Sequence, residues 1–137
     1  MPRQKTTATL RKNAWAALSL WYRQSQANHA GNVVCYTCGN TLPWKEAHSG
    51  HAISGRHNAV LYDLDIIRIQ DYACNVGRGG NYQVFITKLI EENGFEWWQQ
   101  KLIGSRNIIK FTRGELLQMI DDYKSKLSVL ERSRKWG

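Results

Sequence analysis

A C-x-x-C pair at Cys35 and Cys38 constrains this chain more than any other feature. The spacing puts two thiolates on one tight turn, where a tetrahedral zinc ion can accept both. Two ligands do not hold zinc, so the other half of the site must lie further along. The third cysteine, Cys74, follows an isoleucine-rich segment, and Asp71 stands three positions before it. "DYAC" thus has the D-x-x-C spacing of a second knuckle, and carboxylate is an accepted though less common zinc ligand. Cys35, Cys38, Asp71 and Cys74 are the expected structural zinc site. His48, close after the first knuckle, is the rival fourth ligand. A knuckle that has lost its metal and packs as an apolar turn is the remaining alternative.

Composition narrows the class. A hydrophobic content of 42% with six tryptophans and six tyrosines belongs to a folded chain, not a disordered one. At 137 residues it reads as one domain able to bury a core. No apolar run is long enough to span a bilayer, and the polar "RKNAWAALSLWYRQSQ" is no signal-peptide core. The expected location is the cytoplasm, where cysteines serve as metal ligands or core residues before they form disulfides. The net charge of +8 favours a polyanionic partner, DNA or RNA, over basic surface kept for solubility, and no membrane partner is expected. It gathers at the ends: Arg3, Lys5, Arg11 and Lys12 at one, Arg132, Arg134 and Lys135 at the other. Arg56, Arg78 and Lys88 join the last three as candidate nucleic-acid contacts.

Periodicity supplies the frame. Leu10, Ala14, Leu18 and Trp21 recur at helical spacing, predicting a helix from about Thr7 to Gln26. "VVCYTCG" reads as a short strand entering a turn, with Pro43 and Trp44 in a loop and "GHAIS" as a second short strand. Ile66, Ile67 and Ile69 suit a third. A helix is expected from near Asn81 to Glu92, with Tyr82, Phe85 and Leu89 as its stripe and Asn93-Gly94 as its stop. "EWWQQKLI" predicts another short helix. Thr112 and Glu115 have capping-box spacing. They open a last helix whose stripe, Leu116, Ile120, Tyr123, Leu127 and Leu130, is too short for a coiled coil and reads as core-facing. The fold class is α+β, with the chemistry in a small β-rich centre.

Between and after the half-sites lie the residue types that phosphodiester cleavage uses. His51 sits on a predicted strand, His57 six residues on, Asp63 in the following loop, and Asn75 beside a zinc ligand. In metal-dependent cleavage a histidine deprotonates the attacking water, and a divalent cation on His, Asn or Asp neutralises developing charge. Singly, each is an ordinary polar surface residue. Their arrangement around a knuckle makes them a candidate catalytic set, with His51 and Asn75 as candidate ligands of a catalytic Mg²⁺ or Mn²⁺.

"CYTCG", "PWKEAHSGHAISGRHNA", "YD", "CN" and "GNY" recur here in the order and spacing of the NinG, or Rap, family of lambdoid phages, which the chain resembles. "WYRQ" is similar to that family's Tyr-Ile-Arg segment, "GNYQVFITKLIEENGFEWW" to its Gly-Asn-Tyr helix and sequel, and "ELLQMIDDYKSKL" to its closing helix. The resemblance implies a recombination nuclease that cuts branched DNA such as Holliday junctions and D-loops, acting in the host cytoplasm. It implies an HNH-like, ββα-metal core braced by a treble-clef-like zinc knuckle, spanning residues 31–94. The N-terminal helix (1–30) and the C-terminal helices with a basic tail (95–137) flank it. By position His51 takes the histidine of Gly-His and Asn75 the asparagine after the last zinc cysteine. His57 and Asp63 match the Arg-His and Phe-Asp elements, and Asn81 the Gly-Asn-Tyr asparagine.

Four departures stand out. Asp71 replaces a family cysteine, and Ile66 and Arg68 stand where Asn and His are common. His48 stands where Gln is usual. Either His51 or His57 can be the base, with His51 favoured because Gly50 leaves room for substrate. The leading expectation is a structure-selective endonuclease. A less selective HNH nickase and a decayed, non-catalytic zinc-knuckle DNA binder are the alternatives. A junction has two symmetry-related cuts to make, so a homodimer is also expected.

Overall fold

The computed structural model describes residues 3–134. Helix α1 (Thr7–Ser25) starts where Thr6 accepts a hydrogen bond from the Thr9 N–H at 3.1 Å. It buries Leu10, Ala14, Leu18 and Tyr22 along one face. The chain then forms two small antiparallel sheets, β1 (Asn32–Val34) with β2 (Thr41–Pro43), and β3 (His48–His51) with β4 (Ile67–Gln70). The first hairpin has the C-x-x-C turn at its tip, closed by Cys35 N–H to Asn40 O at 2.8 Å and Gly39 N–H to Cys35 O at 2.9 Å.

The strands depart from expectation in three places, each for a local reason. Pro43 ends β2 instead of lying in a loop, which a two-stranded sheet tolerates because the missing N–H needs no partner there. Strand β3 begins at His48 and stops at His51, three residues short of the expected "GHAIS" end. The chain turns away near Gly55, whose φ of +125° suits glycine. Ile66 is not in β4: it closes a 3₁₀ turn (Leu64–Ile66) whose leading Asp63 carboxylate accepts from Asp65 N–H at 3.1 Å.

After β4, a π-helical turn (Ala73–Gly77) carries Cys74 and Asn75. Gly79, Gly80 and Asn81 then follow at φ of +59°, +102° and +50°. Three consecutive left-handed residues explain why "GGN" stands here. Short helix α2 (Asn58–Leu61) precedes the 3₁₀ turn, and α3 (Tyr82–Asn93), α4 (Phe95–Gly104) and α5 (Arg113–Arg134) complete the chain. Phe85 and Leu89 are fully buried on α3, but Tyr82 is exposed, lying against the Gly80 backbone instead of the core. The capping box at α5 forms in both directions, at 3.0 and 3.1 Å.

Three apolar clusters hold these parts together. One joins α1 to the sheets through Leu18, Tyr22, Val33, Ile67 and Ile69. A second lies under α3 and α4, with Phe85, Leu89, Trp98 and Ile66. The third, Leu10, Ala14 and Leu116, joins α1 to α5. Helix α5 runs alongside α1 in the same direction, with Trp21 against Tyr123 at 5.5 Å and Arg134 donating to Ala27 O and Ser25 O at the far end. The α5 stripe therefore faces α1.

Gly50 exposes how tightly β3 is set. A Cβ there would lie 1.9 Å from Gln70 Oε1 and 2.7 Å from its Cδ. Gln70 is fully buried and cannot swing aside freely, since its amide donates to Gly80 O at 2.8 Å and Thr37 Oγ1 at 3.2 Å. Gly50→Ala should therefore lower stability by about 1–3 kcal/mol through overpacking. Urea denaturation measures this, and a Gly50→Ala/Gln70→Ala pair should show a smaller further loss than additivity predicts. An unchanged urea midpoint for Gly50→Ala would show that Gln70 moves away without cost.

Candidate metal centre and adjoining histidine cleft

The β1–β2 tip and the start of the π-turn meet, bringing Cys35, Cys38, Asp71 and Cys74 together with ligand atoms all within 4.8 Å of one another. Zinc–sulfur bonds of about 2.3 Å set tetrahedral sulfurs roughly 3.8 Å apart, so the donor set fits a zinc ion in type and in size. Asp71 bridges the halves, accepting from the Cys38 thiol at 3.1 Å and from Cys74 N–H at 2.8 Å. Asn40 adds a further donor to Asp71 at 3.3 Å, and Asn81 reaches Cys74 Sγ at 3.7 Å. Such outer contacts orient ligands.

The electrostatics are those of acids crowded without a counter-charge. The Asp71 carboxyl is held down to about 2, first by the Cys38 thiol and then by Cys74 N–H. The Cys38 thiol is pushed up to about 12, first by desolvation, with the Asp71 carboxylate and the other sulfurs adding to it. Burial also pushes Cys35 up, but hydrogen bonds from Thr37 and nearby backbone N–H groups outweigh it and the net shift is down. A cation at the centre would let all four ionise.

His48, the rival ligand, lies outside this set. Its Nδ1 accepts from the Asn75 amide at 2.9 Å, and its ring meets Tyr72 edge-on at 5.9 Å. His48, Asn75 and His51 line one polar cleft of about 370 Å³, together with Arg23, Ser49 and Arg56. The β3 strand supplies both histidines, and the residue after Cys74 supplies the amide. His51 donates from Nε2 to Leu61 O at 3.0 Å and stacks on Trp15 at 4.9 Å. That bond leaves Nδ1 with its lone pair. Burial moves the His51 pKa below the ordinary histidine value, so the ring is neutral at pH 7.

The other candidates sit elsewhere. His57 precedes α2 and donates from Nε2 to Ser105 O at 2.6 Å. Asp63 pairs with Lys101 at 3.1 Å and borders a different groove, beside Trp97 and Phe111. Ile66 is core, and Arg68 donates to Ile67 O at 2.8 Å while covering the Tyr36 ring. Lys88 is tied to Tyr36 O at 2.6 Å, beside the knuckle. Arg78 and Arg132 are exposed, Arg134 sits on the last carbonyls of α1, and Lys135 lies outside the described residues. Sequence reading missed Arg23, Ser19 and Trp15 as cleft residues. Their four-residue spacing on α1, one helix face, was the available signal.

Fold and site together define a helical protein with two small antiparallel sheets, a four-donor cluster that could hold a metal ion, and a histidine-lined cleft beside it. No helix among the described residues is long and apolar enough to cross a membrane. The family model described as bacteriophage lambda NinG protein matches residues 3–133, and the chain belongs to that family. No curated protein and no solved structure matches it.

Proposed function

We propose that this protein is a metal-dependent DNA endonuclease of phage recombination, cutting branched intermediates such as Holliday junctions and D-loops, with an HNH-like catalytic centre. The carrying observation is the cleft that a neutral, half-buried His51 shares with the Asn75–His48 pair immediately beside the knuckle. Family membership and the charge of +8 support DNA as the substrate. On this reading the knuckle is scaffold, and His51 Nδ1 takes the proton of the attacking water.

Asn75 Oδ1 is the donor open to a catalytic ion, since the amide nitrogen is spent on His48 Nδ1, which leaves the His48 proton on Nε2. No carboxylate lines the cleft. Mg²⁺ or Mn²⁺ could be held there by Asn75 Oδ1, with water and the substrate phosphate completing its oxygen shell. Such an ion would neutralise charge on the phosphoryl and leaving oxygens. Arg56 at the rim draws the phosphate backbone in. A homodimer would supply the paired cuts that a two-fold junction requires.

The test is incubation of a synthetic four-way junction and a matched duplex with the protein and Mn²⁺ or Mg²⁺, with and without EDTA. Junction cleavage that EDTA abolishes and that exceeds duplex cleavage is expected. Equal cutting of both would favour a less selective nickase. Binding with no cutting under any metal would leave a zinc-knuckle DNA-binding protein.

A further inference from the structure

Helix α1 brings a charge into the cleft that no ion pair among the described residues neutralises. Arg23 is half-buried, and its Nε donates to Ser19 O at 3.2 Å and Ser19 Oγ at 3.3 Å. Its guanidinium lies over the Trp44 ring at 5.7 Å. Among the described residues the ion pairs involve Lys101 alone, so Arg23 has no carboxylate partner. Both of its terminal nitrogens are left without an acceptor among the described residues. Ser19 in turn bonds Ser49 at 2.8 Å, tying Arg23 to the strand that carries His48 and His51. Burial disfavours the charged form, so the guanidinium sits where water solvates it incompletely.

A desolvated cation without a counter-ion is costly to a fold. It gains most when an anion arrives, and a guanidinium fixed at Nε presents its remaining N–H groups as a fork matched to phosphate oxygens. With Arg56 also lining the cleft and no acidic residue opposing them, the whole recess favours an anion. We propose that Arg23 is the phosphate-binding residue of this cleft, its terminal nitrogens holding the non-bridging oxygens of a phosphodiester beside His51. The inference rests on the nuclease reading for its role in cleavage, but phosphate binding itself can be tested separately.

Titration with inorganic phosphate, followed by NMR of the His48 and His51 ring protons, reads the site without any reaction. Phosphate should shift both sets of resonances in the parent protein. Arg23→Ala should weaken that binding at least about tenfold, and Arg23→Lys, which keeps charge but loses the fork, should fall between. Arg23→Gln, which can still reach Ser19, should behave like Arg23→Ala if both melt like the parent. That separates charge loss from a folding defect. In cleavage, Arg23→Ala should lower kcat by ~10²–10³-fold, as removal of a transition-state donor does. Equal phosphate affinity in the parent, Arg23→Ala and Arg23→Gln proteins overturns the proposal. Cutting by Arg23→Ala at the parent's rate overturns it too and leaves the nuclease reading intact. If the parent binds phosphate through Arg23 but cuts no DNA, the phosphate site stands and the nuclease reading falls.

Discussion

His51→Ala is expected to lower single-turnover cleavage of a four-way junction by ~10²–10⁴-fold, the usual contribution of a positioned base. Junction affinity, read by gel shift, should stay near the parent's, because phosphate contacts supply most of it. His57→Ala is the informative control. Its Nε2 is already committed to Ser105 O, away from the cleft, so the variant should cut within about tenfold of the parent. A larger loss at His57 than at His51 would reverse the roles. The pH dependence follows from the direction of the His51 shift. The base works when neutral, and burial lowers its folded pKa, so activity is retained above that pKa and lost as pH falls through it. The acid limb should lie below the ordinary histidine value of about 6.5. An acid limb well above it would mean another group is titrating.

Cys74→Ala is expected to abolish zinc binding and with it the packing of the knuckle region. Cys35 and Cys74 are each 1% exposed, so the ligands sit inside the structure that the metal would brace. Removing a ligand from a structural site costs folding energy directly, since metal binding and folding are one equilibrium. The parent should carry about one zinc per chain by elemental analysis, and Cys74→Ala none. Near-UV circular dichroism should fall more than far-UV, because α1 and α5 hold each other through Leu10, Ala14 and Leu116 apart from the knuckle. Asp71→Cys should tighten zinc by restoring a thiolate. A metal-free parent, purified without chelators and melting like Cys74→Ala, would remove zinc from the account.

Periodicity carried the helices well. The stripe of α1, the Phe85–Leu89 face of α3 and the Thr112–Glu115 capping box are local patterns, and local patterns survive tertiary context. Strand limits did not follow from pattern alone. Ile66 looks like strand by composition, but the Asp63 cap starts a 3₁₀ turn that takes it in and delays β4 to Ile67. Arg23 was invisible as a cleft residue because helical spacing says which residues share a face, not what that face meets.

The sequence by itself pointed to Cys35, Cys38, Asp71 and Cys74 as residues that could hold a metal, since C-x-x-C and D-x-x-C each place two donors on one turn, with His48 as a rival. It also offered His51 and His57 as the candidate bases. Only the tertiary structure decided which histidine shares a cleft with Asn75, that His48 joins that cleft instead of the knuckle, and that α1 contributes Arg23 to it. The reason is range. A turn is closed by residues a few positions apart, whereas the cleft is set by the β3–β4 register and by α1 packing across β3, both between segments distant in sequence.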